Sequence, residues 1–260
     1  HIVKNDGDSR RVSRLTSRII NSSVLPGGKN QYFTIDELKK IFGEDIEDII
    51  TSETRTVDLI TRVNNSLKDI QIPYLLRINA VQPSVHGRIV GDTYYVITLG
   101  EKDDQTEFSR HDVDFSMVGE GTRSIISLLM QIEIHRAENR RTPCVLTIRE
   151  FENHLHPSLI GRFFKYLVKR TLETNIDLIV ETHSEIILRT LQTIIKNSKD
   201  DIDGENLDVK RVAIYYVDKK NSGDSTIEQL NLTSNGYFEK APPKEFFDIN
   251  SNLIKEMIDD

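Results

Sequence analysis

The segment that most constrains this chain is Val145-Leu146-Thr147-Ile148-Arg149-Glu150-Phe151-Glu152-Asn153-His154-Leu155-His156-Pro157. An apolar strand ends in acidic groups, and a short loop then leads into a helix. Carboxylates at the C-terminal end of a central parallel strand sit where open α/β proteins bind their ligands. There they hold Mg²⁺ through water or polarise an attacking water.

The surrounding pattern agrees with that placement. From Ser116 onward helices and strands alternate, which predicts an α/β fold with parallel strands. A helix follows Gly121, with Ile125, Ile126, Leu128, Leu129 and Ile132 inward. Strands are predicted over Cys144–Ile148, Ile176–Val180 and Val212–Val217, and helices over Ser158–Thr171 and Ser184–Lys196. Asp200–Asp208 reads as an acidic loop.

Upstream, Thr34 and Glu37 form a capping-box pattern opening a mostly helical stretch over 34–69, with breaks near Gly43 and Thr51. Residues 73–99 turn β-rich, with Gly87 and Gly91 near a turn between strands. Residues 9–20 read as an amphipathic helix with Arg10, Arg14 and Arg18 along one face. That stripe reads as a solvated face, with phosphate contact as the alternative. The expected division is a helical segment over 1–69 and one lobe over 70–260.

Two further motifs flank the acidic strand tip. Val118-Gly119-Glu120-Gly121-Thr122 opens a helix, where glycines let backbone N–H groups approach an anion. Ile179-Val180-Glu181-Thr182-His183-Ser184 is another apolar strand whose end presents a histidine. Such a histidine can hydrogen-bond a phosphate or an attacking water.

Composition excludes several classes. A net charge of −7 argues against a general polyanion binder, although residues 1–30 carry six basic against two acidic residues, a local net of +4. The lone Cys144 allows no internal disulfide and suits a reducing, cytoplasmic setting. No apolar run approaches the roughly 20 residues that span a bilayer, and no signal peptide is visible.

Taken in order, the three motifs resemble an ABC-type ATPase head of the OLD-like and SMC-like kind. Residues 145–157 resemble the Walker B and D-loop run E-E-P-E-x-H-L-H-P, and Glu181-Thr182-His183-Ser184 the switch-histidine run E-T-H-S. Val212–Asp218, Gly236-Tyr237-Phe238 and Pro243-Lys244-Glu245-Phe246-Phe247-Asp248 resemble the C-terminal extension of one subgroup. The resemblance implies an ABC-like lobe with a mainly parallel sheet flanked by helices, plus some antiparallel strands. It implies ATP and Mg²⁺ as ligands, with ATP sandwiched between two heads of a homodimer or higher homo-oligomer.

By position, Glu150 would polarise the attacking water and His183 would sense the γ-phosphate. Gly119, Glu120, Gly121 and Thr122 lie in the signature loop that contacts ATP held by the other protomer. Asn153, His154 and His156 lie in the D-loop-like segment at the dimer interface. Glu150 and Glu152 are the candidate metal-side carboxylates, with Arg149 as an alternative partner for Glu152. Glu181 braces the site. The expected partners are an effector protein such as a nuclease or toxin, or DNA, in phage defence.

The sequence departs from the pattern at Arg149, where the family has an acid, at Phe151 for Pro, and at Gly119 for the signature serine. It has no G-x-x-x-x-G-K-[ST] phosphate loop: Ser23 and Asn30 break the only approach, at Gly28-Lys29. Residues 212–260 also lack the glutamate and D-x-D arrangement of a TOPRIM nuclease. Two alternatives stay open: a non-hydrolysing scaffold or inhibitor that binds a protein, and a metal hydrolase built from Glu150, Glu152, His154, His156 and His183.

Overall fold

The computed structural model describes residues 14–16, 32–81, 84–85, 88–89, 92–101, 112–137, 144–174, 176–199, 207–219 and 224–242. The chain divides into two compact units, one of residues 1–156 and 174–182, the other of residues 157–173 and 183–260.

The first unit holds the acidic strand tip. Strands β1 (Arg14–Thr16), β8 (Cys144–Arg149) and β9 (Ile176–Glu181) form a parallel sheet in the order β1-β8-β9. Along β8 the inward positions alternate: Cys144, Leu146 and Ile148 are buried, while Arg149 at the tip is exposed. The in-register pairing of β8 and β9 sets Arg149 opposite Glu181. Each strand therefore delivers its polar end to the same edge.

Arg14–Thr16 corrects the helix expected over 9–20. The segment is a strand in register with Val145–Thr147, because ladder hydrogen bonds to a central strand outweigh a weak local helical period. The rest of that stretch, like the turn at 21–31 and the glycines at 87 and 91, lies outside the described residues.

An antiparallel sheet completes the first unit. β2 (Tyr32–Phe33), β6 (Tyr94–Glu101) and β3 (Tyr74–Val81) run in the order β2-β6-β3, and β7 (Val113–Asp114) also pairs with β6. β4 (Ser84–Val85) and β5 (Arg88–Ile89) form a small ladder of their own. Three helices precede β3: α1 (Ile35–Phe42), α2 (Ile46–Ile50) and α3 (Glu53–Asp69). The capping box expected of this sequence is present. The Thr34 N–H donates to Glu37 Oε2 at 2.7 Å. The Glu37 N–H donates to the Thr34 hydroxyl at 3.3 Å. The breaks fall at Gly43 and at Thr51-Ser52.

Helix α4 (Glu120–Ala137) is buried on nearly every side from Ile125 to His135, Ser127 excepted. Each fully buried Leu, Ile or Phe in such a core contributes roughly 1.5–3 kcal/mol. Among these apolar residues lies Glu133, which is fully buried. Its carboxylate accepts two hydrogen bonds from Arg136, at 2.9 and 2.8 Å, and one from Ser66 of α3 at 3.3 Å.

In the second unit, helices α5 (Pro157–Glu173) and α6 (Glu185–Lys199) pack together, with Gly161 set close to the Thr190 hydroxyl. Along these helices Phe163, Phe164, Leu167, Val168, Ile187, Leu191, Ile194 and Ile195 are buried, and Leu188 is half-buried. Strand β10 (Ile214–Lys219) pairs antiparallel with β11 (Ser225–Leu230). This corrects the expectation of a mainly parallel sheet: the parallel sheet has three described strands, and the other ladders are antiparallel. β11 follows β10 directly in sequence and pairs with it antiparallel. The alternation of helices and strands does not distinguish that arrangement from a crossover. Gly236 then turns with φ of 77° against the backbone of Gln192, where a Cβ would collide with the carbonyl. Only glycine adopts that conformation without a steric penalty. Among the described residues no helix is long and apolar enough to cross a membrane.

Candidate functional site at the strand tips

The polypeptide leaves β8 through a strained turn. Glu150 has φ of 45° and His154 φ of 64°. Both lie in the left-handed region that side chains disfavour. The turn between them is anchored by Phe151, only 6% exposed. That burial explains how an aromatic residue serves at Phe151. The Glu150 N–H donates to the Glu181 carbonyl at 2.8 Å, tying the turn to the end of β9. The Asn153 N–H donates to the Glu150 carbonyl at 3.1 Å, and the Leu155 N–H to the Glu152 carbonyl at 3.1 Å.

Four side-chain contacts organise the carboxylates. Asn153 Nδ2 donates to Glu150 Oε2 at 2.9 Å. The Thr182 hydroxyl donates to Glu152 Oε1 at 2.5 Å. Arg149 donates from Nε and Nη2 to the two oxygens of Glu181, at 2.7 and 3.2 Å. His154 Nε2 lies 3.5 Å from Glu120 Oε2 at the start of α4. The hydrogen bonds that Arg149 donates to Glu181, and then the charge of Glu181, raise the Arg149 pKa, so this cation persists at every working pH. Arg149 thus takes Glu181, not Glu152, as its partner.

The signature-like glycines differ from one another. Gly119 is exposed with open space around its Cα. Gly121 is buried, and a Cβ there would meet the His154 carbonyl oxygen at 2.5 Å and Leu155 Cδ2 at 2.6 Å. Glycine at 121 lets the start of α4 press against the turn after β8. The first helical N–H groups, at Glu120, Gly121 and Thr122, precede any intrahelical acceptor and point out of the helix end. The structure so brings Gly121 and Glu120 against His154, and Glu152 against Thr182. His156 is exposed and ends this unit. His183 is exposed and belongs to the second unit, just before α6.

Sequence reasoning passed over Thr182. Its signal is a hydroxyl one residue beyond a strand tip, next to the acidic Glu181 in sequence. Glu181 was read as a brace, and its grip on Arg149 gives that brace a partner.

Residues 28–188 match the family model described as the AAA ATPase domain. The chain belongs to the AAA ATPase domain family. That assignment gives the ATPase class read from the strand-tip motifs. No curated protein matches the chain. Among solved structures, the AAA ATPase domain chain is similar to an SMC head bound to the C-terminal winged-helix domain of ScpA, at 12% identity and TM-score 0.49, covering 76% of this chain and 50% of that one. It is similar to an SMC ATPase studied for ATP-driven dimerisation, at 11% identity and TM-score 0.44, covering 82% of this chain and 97% of that one. A Pyrococcus furiosus SMC head with an extended coiled coil gives 10% identity and TM-score 0.47, covering 85% of this chain and 43% of that one. The chain therefore spans half the length of the first of these structures.

In this AAA ATPase domain the strand tips carry Glu150, Glu152 and Glu181 against the cation of Arg149, and Glu120 adds another carboxylate through His154. Such an excess of negative charge suits a divalent cation that arrives with phosphate oxygens and needs only one or two carboxylates from the protein. Among the described residues no group of three or more His, Cys, Asp or Glu is placed to hold a metal by itself.

Proposed function

We propose that the chain is part of an ATP-driven head of the OLD-like or SMC-like kind, in which two heads close on ATP and Glu150 activates the attacking water. The observation that carries this reading is the left-handed Glu150 at the tip of a central parallel strand, with its carboxylate held by Asn153. Strain of this kind costs on the order of 1–3 kcal/mol and persists where the surroundings enforce it, as at functional sites.

Each residue then has a task. Glu150 accepts a proton from water as that water attacks the γ-phosphate, a contribution of roughly 10²–10⁴ in rate. Glu150 and Glu152 are the carboxylates that would hold Mg²⁺, which neutralises developing charge on the phosphates when bound. The N–H groups at Gly119–Thr122 face an anion held by the partner head. Asn153 and His156 line the head-to-head surface, and His183 reports the γ-phosphate. The phosphate cradle comes from outside this sequence. The head controls an effector protein such as a nuclease or toxin, or a DNA transaction, in phage defence within the cytoplasm.

Arg149 favours a second reading, a non-hydrolysing scaffold that binds a protein partner, because it places a cation where an acid would steady the metal. Calorimetry of Mg-ATP binding, with mass detection of dimers in the same buffer, tests the first reading: binding accompanied by dimerisation is expected. Nucleotide-insensitive partner binding without ATP-driven dimers would favour the scaffold.

A further inference from the structure

We propose that Asn153 is a positioning residue for Glu150, setting the carboxylate's orientation in the active head; this rests on Glu150 being the catalytic base. Asn153 makes two contacts with the same residue. Its main-chain N–H donates to the Glu150 carbonyl at 3.1 Å, and its side-chain amide donates to Glu150 Oε2 at 2.9 Å. The first contact closes the turn whose strained end is Glu150, and the second acts on the carboxylate alone.

The division of labour follows from chemistry. A glutamate side chain has several rotatable bonds and, half-exposed at a strand tip, would sample many rotamers. A donor on one carboxylate oxygen selects one rotamer and fixes the plane of the group, and with it the direction of the second oxygen. Asparagine suits the task because its NH₂ donates without adding charge beside a base. Asparagine also tolerates tight turns of this kind. Asn153 is itself exposed, so replacing it removes the tether without opening a cavity.

ATP turnover by the full-length protein tests this, with Asn153→Ala, Asn153→Asp and Glu150→Gln compared with wild type. Asn153→Ala is expected to lower kcat roughly tenfold to a hundredfold, with the melting temperature unchanged. Asn153→Asp keeps the shape but sets a like charge beside Glu150, and falls below Asn153→Ala. In single-turnover measurements on the Glu150→Gln background, adding Asn153→Ala has no further effect, since no base remains for the tether to aim. A kcat within twofold of wild type for Asn153→Ala, a loss confined to KM, or additive losses in the double variant would overturn the proposal while leaving Glu150 as the base. Absence of turnover in wild type, or full turnover by Glu150→Gln, would overturn the catalytic reading and this proposal with it.

Discussion

Arg149 and Glu181 face each other across the parallel register of β8 and β9, two guanidinium nitrogens at 2.7 and 3.2 Å from two carboxylate oxygens. Both side chains are more than half exposed, so the pair adds little to folding. Its effect lies in charge: it neutralises one carboxylate at the tip and holds a cation at the end of β8.

Exchanging that cation for an acid therefore changes what the tip attracts. Arg149→Asp sets a third negative group beside Glu150 and Glu152 and releases Glu181. The variant is expected to bind Mn²⁺ roughly tenfold more tightly than wild type in the presence of nucleotide, as measured by paramagnetic relaxation or calorimetry. Unchanged affinity would mean that Arg149 does not govern the metal side of the site.

The two glycines at the start of α4 separate packing from access. Gly121→Ala drives a Cβ into the His154 carbonyl and Leu155. It is expected to cost about 1–3 kcal/mol in urea unfolding. A Cβ at Gly119 meets open space. The stability of Gly119→Ala should therefore stay within about 0.5 kcal/mol of wild type. Equal losses at both positions would contradict the close approach at Gly121.

Glu133 offers a test of the far end of the same helix. Its buried carboxylate neutralises Arg136 and receives Ser66 from α3, joining α4 to the helical segment. Glu133→Ala is expected to destabilise by about 3 kcal/mol, because one partner of a partly buried pair is removed and a cavity is left. Denaturant titration at neutral pH checks this.

Much of the site was legible in the sequence because local chemistry fixes it. Thr34 and Glu37 predict their own capping box, and Cys144, Leu146 and Ile148 alternate as a half-buried strand must. Gly121 reads from sequence as a glycine that lets an anion approach, whereas the close approach the structure shows there is to the His154 carbonyl and Leu155. What failed to show depends on distant partners. Arg14–Thr16 reads as helical until β8 supplies its ladder. Ser225–Leu230 has few apolar residues and becomes a strand only by pairing with β10, which in turn leaves the parallel sheet. From sequence Arg149 reads as a partner of Glu152, close by in the chain, but it takes Glu181, which only the register of β8 with β9 sets opposite it.

The most direct test of the account is the mass of Glu150→Gln in the full-length protein with Mg-ATP, read by light scattering after size exclusion and compared with Mg-ADP. If Glu150 is the base of an ATP-closed pair of heads, the variant binds ATP, fails to turn it over, and doubles in mass with ATP alone. A mass that is the same with ATP, with ADP and without nucleotide would contradict the account.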